Sequence, residues 1–231
     1  MNFPQTKTLL LTAALCTALT ACGGGDDDAA SNPATPSAAA FADCFAVTPG
    51  VAYTMAGDFA GKVLMVQEEF DGTVRPGMLD LSSAGERETA VYWSAEADGI
   101  RFWGQANYNN PDHSASSRNV YSSGFLVPLA MQAGQSVSLS YTETTTYLSD
   151  GRTSTQDYQE AFSFEGFETV TLGGKTFENV CRIKVVEPSN TEDGPSTLWY
   201  AKGFGLIHAR HTNSAGTVLS ESTLDTITAQ P

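Results

Sequence analysis

From Phe41 onward, apolar residues recur mostly at every second position, with turn residues between the runs. This is the pattern of β-strands with one face in a core and one in water. Residues 62–70 form a first run, ended by Asp71-Gly72, and residues 78–81 a second, shorter one. Residues 89–97 form a third, ended by Asp98-Gly99, and residues 100–108 a fourth. An Asp-Gly pair between alternating runs predicts a hairpin, because glycine supplies the positive φ of a tight primed turn. Strict alternation would put Val91, Trp93 and Ala95 on one face of the third strand. It would likewise put Ile100, Phe102, Ala106 and Tyr108 on one face of the fourth. Residues 109–119 read as a polar loop. In the run 62–70, Leu64, Val66 and Phe70 oppose Val63 and Met65, so that strand predicts burial on both sides.

The second half alternates more cleanly. Val137, Leu139 and Tyr141 interleave with Ser136, Ser138, Ser140 and Thr142, and a Thr-rich run leads to a second hairpin turn at Asp150-Gly151. Tyr158, Phe162 and Phe164 share a face of the return strand. Val170 and Leu172 lead to a further turn at Gly173-Gly174. In residues 180–187, Cys181, Ile183 and Val185 oppose Arg182 and Lys184, which points the cysteine inward. Residues 197–201, 206–212 and 218–227 complete roughly ten strands, and Gly203 and Gly205 around Phe204 predict a bulge or sharp turn. No amphipathic helix and no fixed-period repeat follows residue 22. The expectation is an all-β fold: an antiparallel meander forming a strongly curved sheet or open barrel, with a two-sheet sandwich as the alternative.

The chain has 231 residues, and its 41% hydrophobic content is that of a folding chain rather than a disordered one. Before Phe41 the pattern is different. A short n-region with Lys7 precedes the apolar run 9–19, which is too short to cross a bilayer as a helix. Leu19-Thr20-Ala21-Cys22 resembles the lipobox of bacterial lipoproteins. That resemblance implies removal of residues 1–21, lipidation of Cys22, and attachment to a membrane without spanning it. Residues 22–40, rich in Gly, Asp, Ala, Ser and Pro and without an aromatic residue, read as a disordered tether with a reach of about 23 Å. By resemblance to enteric sorting rules, Gly23 after the cysteine implies the outer membrane, facing the periplasm. Residues 41–231 are then a single β-rich domain, a size that suits one sandwich or barrel.

Formal charge is −14, and loss of Lys7 with the signal makes the mature chain one unit more negative. Such a surface repels nucleic acid and anionic headgroups. Of four cysteines, Cys16 leaves with the signal and Cys22 takes the lipid. Cys44 and Cys181 remain as an even pair in a compartment that permits disulfides, and are expected to pair.

Candidate chemistry is sparse. Gly173-Gly174-Lys175-Thr176 lacks the earlier glycine and following helix of a phosphate loop, and reads as a turn. His208 and His211 lie three apart on a strand and so face opposite ways, which fails zinc geometry. Asp112-His113-Ser114 is a polar loop without a nucleophile elbow. Glu68 and Glu69 face apart, unlike a glycosidase pair. Asp26-Asp27-Asp28 lacks the alternating spacing of a calcium loop. No catalytic residue, metal or cofactor is therefore expected. Trp93, Phe102, Tyr108, Tyr141, Phe162 and Phe164 could instead line a cavity for a hydrophobic ligand.

Residues 128–227 resemble the C-terminal part of poorly characterised envelope lipoproteins of Gram-negative bacteria. The pieces that carry the likeness are Ala133-Gly134-Gln135-Ser136-Val137, Gly174-Lys175-Thr176-Phe177-Glu178-Asn179-Val180, Leu198-Trp199-Tyr200-Ala201 and Gly203-Phe204-Gly205-Leu206-Ile207. It implies a β-domain and assigns no active site. Three function classes follow. The first is a non-enzymatic interaction or structural module with an envelope protein partner, the second a carrier of a lipid or other hydrophobic ligand, and the third a hydrolase built on the loop 109–119.

Overall fold

A computed structural model describes residues 40–109, 112, 114–122, 125–187 and 193–230. Cys22, the tether and His113 lie outside the described residues. Thirteen strands follow a short 3-10 helix, Phe41–Phe45. The first seven are β1 (Ala52–Gly57), β2 (Gly61–Phe70), β3 (Thr73–Leu81), β4 (Arg87–Ala95), β5 (Ile100–Asn107), β6 (Ser117–Tyr121) and β7 (Leu126–Val127). The remainder are β8 (Gln135–Tyr147), β9 (Thr153–Leu172), β10 (Lys175–Val186), β11 (Asp193–Ala201), β12 (Gly205–Asn213) and β13 (Val218–Ala229).

All pairings among these strands are antiparallel, and β1 pairs with both β2 and β13. With β4 on β5 and β6 on β8, the sheet closes on itself as a twelve-stranded barrel. The two-residue β7 adds only to the start of β5. Closure removes the free edges that an open sheet would expose. The expected all-β meander is thus present, with more strands than anticipated and no sandwich. The hairpins at Asp71-Gly72, Asp98-Gly99, Asp150-Gly151 and Gly173-Gly174 all form, and Asp71 and Gly72 both take the positive φ of a primed turn.

Two strands correct the sequence reading. β1 escaped it because Tyr53-Thr54-Met55-Ala56 is short and bounded by no strong contrast. β6 occupies the end of the supposed polar loop: Asn119 faces inward but Val120 is its one strongly apolar residue, so alternation gives no signal.

A face assignment is also corrected. Ile100 and Phe102 face the interior, whereas Ala106 and Tyr108 belong to a second apolar cluster on the outside. The cause is a bulge. Trp93 pairs with Phe102 and Tyr92 with Gly104, leaving Trp103 extra, and one added residue reverses every later side chain. Gly104 has φ +145°, and a Cβ there would lie 1.9 Å from the Asn119 carbonyl and 2.9 Å from the Phe70 ring. The outer cluster, with Val66, Phe70, Leu79 and Tyr92, gives β2 the two buried faces expected of it. Arginine stems and rings cover it: Arg75 lies 3.4 Å above the Trp103 ring centroid, and Arg87 4.5 Å above that of Tyr108.

Inside the barrel the N-terminal 3-10 helix acts as a plug. Phe41 packs on Phe162 and Phe164 at centroid distances of 6.4 and 4.8 Å, and Phe45 on Phe102 and Tyr200 at 5.9 and 5.0 Å. Trp93 Nε1 donates to the Phe45 carbonyl at 2.8 Å. Cys44 is bonded to Cys181, as expected, with Cα atoms 6.0 Å apart. Chain order places the plug at the end that holds the β2–β3, β4–β5, β9–β10 and β11–β12 turns; we call this the plugged end and the other the open end.

Intact mass of the oxidised chain after alkylation should show Cys44 and Cys181 unmodified. Reduction, or Cys44→Ala, should lower the urea-unfolding free energy by about 2–5 kcal/mol, since the bond closes a loop of more than a hundred residues. Gly104→Ala should cost roughly 2 kcal/mol or more, because its Cβ would strike backbone rather than a movable side chain.

Candidate functional site

The side chains singled out from sequence fall into three places. Trp93, Phe102, Phe162 and Phe164 pack around the plug in the filled half of the lumen. Tyr141 stands at the border of that half, continuing a ring stack from Phe102 through Phe125 (4.7 Å, then 4.4 Å) and on to Tyr158 at 5.4 Å. Tyr108 lies outside, beneath Arg87.

The other candidates are also placed. His208 stacks on Trp199 on the outer face, with centroids 4.0 Å apart, and its Nε2 lies 2.8 Å from Glu221 Oε1. His211 Nδ1 lies 3.1 Å from Ser196 Oγ. Arg210 also donates to Glu221, and these bonds hold the Glu221 carboxyl below its usual range. Glu68 accepts from Arg87 on the outside. Gly173-Gly174 forms the β9–β10 turn, and Lys175 Nζ sits 4.5 Å over the Phe204 ring. Ser114 Oγ donates to Asp112 at 2.6 Å, an Asx-type loop bond.

The cavity lies elsewhere, in the open half of the lumen. It has a volume of about 420 Å³, within the range that holds small organic ligands. None of the six aromatic residues lines it. Its apolar wall is Met55, Val63, Met78 and Ala209, with Phe59 from the β1–β2 turn at its mouth. Phe59 is 68% exposed, and its backbone N–H donates to Ser222 Oγ at 2.8 Å. A second hollow of about 260 Å³, lined in part by Leu198 and His211, shares Phe59 and Ala209 with the first.

Polar groups stand beside that apolar lining: Asp80 is the cross-strand partner of Val63, and Asp58, Lys62, Glu88 and Ser222 belong to the same lining. Asp80 and Thr89 are register partners and both line the cavity. Thr89 pairs with Asn107, Asn107 with Ser117, and Gln105 with Asn119. Asn119 in turn pairs with Thr145, whose hydroxyl lies 3.3 Å from Glu143. On the neighbouring strand Tyr141 donates to Glu160 at 2.7 Å. Interior positions from β3 round to β9 therefore carry one continuous band of hydrogen-bonding groups. The signal was present in the sequence as polar residues at inward parity, but parity could not be known before the bulge at Gly104 was.

Burial governs the titration of this band. It raises the Asp80 carboxyl to about 6, and nearby Glu88 adds to the effect. Burial also raises Glu160; the Tyr141 hydrogen bond opposes that shift and Glu187 adds to it. The hydroxyls of Tyr121 and Tyr141 are raised, first by burial, with Glu143 and Glu160 contributing to Tyr121 and the Glu160 bond and charge to Tyr141. Among the described residues no group of three or more His, Cys, Asp or Glu side chains is arranged to hold a metal. The chemistry offered is that of acceptors beside an apolar surface.

No family model matches the chain, and no curated protein does. Among solved structures it is similar to a Bacteroides fragilis protein with a YmcC-like fold, at 14% identity and a TM-score of 0.44, covering 80% of this chain and 98% of that one. It is also similar to the hypothetical lipoprotein YmcC of Escherichia coli, at 15% identity and a TM-score of 0.41, covering 83% of this chain and 90% of that one. No residue role passes from either to this chain.

Proposed function

We propose that this protein is a lipid-anchored module of the bacterial cell envelope, held through Cys22 at the outer membrane and facing the periplasm, that works by binding rather than catalysis. Its barrel holds an amphiphilic small molecule in the open half of the lumen. One observation carries this reading. The same lumen is packed solid around the plug and left with a cavity of about 420 Å³ beyond it. A barrel serving only as a scaffold has no reason to stop filling its core halfway, since each unfilled methyl-sized space costs about 1 kcal/mol.

The interaction-module reading keeps a narrower basis in the loop tips. Phe59 and Leu148 are exposed on turns of the open end, and Val218 and Leu219 at the start of β13. Scattered apolar tips are ordinary on protein surfaces, and here Phe59 also borders the cavity. The geometry supports the binding reading, because the plug fills one end of the lumen and the cavity opens at the other.

The cavity makes the empty protein less stable than it could be. Asp80 titrates near 6 when folded against an ordinary value of 3.8, so the folded state holds its proton more tightly. Its contribution opposes folding as pH rises through that interval and is absent below it. Asp80→Asn should therefore raise unfolding free energy by about 1–3 kcal/mol at pH 7.5 and leave it unchanged near pH 3.5, read from urea titrations at the two pH values.

Two further outcomes test the proposal. Cys22→Ser should move the chain from the membrane fraction to the soluble fraction on carbonate extraction; retention of the variant in the membrane would refute lipid anchoring there. Native mass spectrometry of the detergent-free Cys22→Ser chain, purified from envelope extract, should show a small-molecule adduct lost on organic extraction. A bare mass after incubation with envelope lipids would favour the interaction module instead.

A further inference from the structure

We infer that the molecule held in the open half of the lumen is an amphiphilic organic cation, with a primary ammonium head at Asp80 and its apolar portion along the neighbouring Met55, Val63 and Met78. This deepens the proposed function and rests on the reading that the lumen binds a small molecule.

Among the described residues, interior positions of the band from β3 to β9 supply carboxylates, amides and hydroxyls: Asp80 at the cavity, then Asn107, Asn119, Glu143 and Glu160 further round the lumen, with Tyr158 beside them, while His211 faces in from β12 at the adjoining hollow. None of these positions is Lys or Arg. Lys62 stands at the cavity rim, on the strand parity opposite Val63, and Arg210 turns outward to Glu221. A soluble domain usually places cations beside buried carboxylates, because an uncompensated buried negative charge is costly. Here four arginines, Arg75, Arg87, Arg101 and Arg118, are instead on the outer face of β3–β6, stacked over aromatic rings.

A second observation points the same way. Asn119 is 8% exposed, and its Oδ1 accepts no hydrogen bond. Its strand parity aims it into the lumen, directly across from Thr145 and one register step from Glu143 opposite Tyr121. A buried acceptor left without a donor costs about 1–3 kcal/mol, so natural proteins rarely keep one without use. The Tyr141 hydroxyl already donates to Glu160, which leaves that carboxylate with accepting capacity only. What the band lacks throughout is a donor with positive charge. An ammonium group brings three donors and the missing charge, and Met55, Val63, Met78 and Ala209 in the same lining take an alkyl chain. An anionic amphiphile such as a fatty acid would meet Asp80 and Glu88 with like charge.

The test uses three eight-carbon probes and the full chain carrying Cys22→Ser, which avoids detergent. Octylammonium, 1-octanol and octanoate are titrated calorimetrically at pH 7.5. Octylammonium should bind about tenfold or more tighter than octanol, the size of one charge-assisted hydrogen bond, and octanoate weakest of all. Its affinity should fall about fivefold or more in Asp80→Asn and in Glu88→Gln, residues that both line the cavity, and on lowering the pH from 7.5 to 5, while octanol stays within about twofold. Circular dichroism and urea midpoints of both variants separate loss of binding from loss of fold. Equal or tighter binding of octanol overturns the cation assignment and leaves the cavity reading standing. No binding of any probe overturns both.

Discussion

A closed sheet of twelve strands encloses more space than one layer of side chains can fill, and the rest of this structure answers to that constraint. Eight strands make a lumen that side chains just occupy, and diameter grows with strand number. Here the surplus is met by folding the start of the domain into the barrel. Phe41, Cys44 and Phe45 enter as a one-turn helix and supply rings where the strands alone would leave a void. The disulfide to Cys181 holds that helix in register with β10, and the Trp93 indole satisfies the carbonyl of Phe45, which would otherwise be stranded in an apolar interior. Without the plug, the large rings of β4, β5 and β9 would face a gap.

The plug reaches only part of the way, and the unfilled remainder differs in character from the filled part. Toward the plugged end the interior is aromatic and dry. Toward the open end it divides into an apolar wall from β1–β3 and β12 and a polar band from β3 to β9. The Asp80 and Glu160 carboxyls and the unbonded Asn119 acceptor sit on that band, and each lowers the stability of the empty protein. Asp80 also lines the cavity, and a destabilising group held there is the mark of a site kept for use, because selection for stability alone would replace it. The outer face shows the complementary economy: arginines that would neutralise the band lie outside as lids over Phe70, Trp103 and Tyr108.

Much of this fold was legible from the sequence, for physical reasons that can be named. Asp-Gly and Gly-Gly pairs marked hairpins because few residues tolerate positive φ, and Val137, Leu139 and Tyr141 among serines gave a strand face directly. The inward parity of Cys181 pointed to the bond that forms. Closure was not legible, since the pairing of β1 with β13 joins residues more than 160 positions apart and leaves no local trace. Nor was the bulge at Trp103-Gly104, where one glycine decides the face of every later residue in β5. Tyr108 was misplaced for that reason. The site was the least legible part: Asp80, Asn119, Glu143 and Glu160 are unremarkable strand residues until register and closure bring them onto one wall.

The most direct measurement is a crystal structure of the Cys22→Ser chain with 8-bromooctylammonium, read from the anomalous signal of bromine. A bromine peak is expected inside the barrel, against Met55, Met78 and Ala209, with the plug in place and the ammonium end toward Asp80. A peak only on the outer face, or a lumen closed by side chains with no room for the probe, would contradict it.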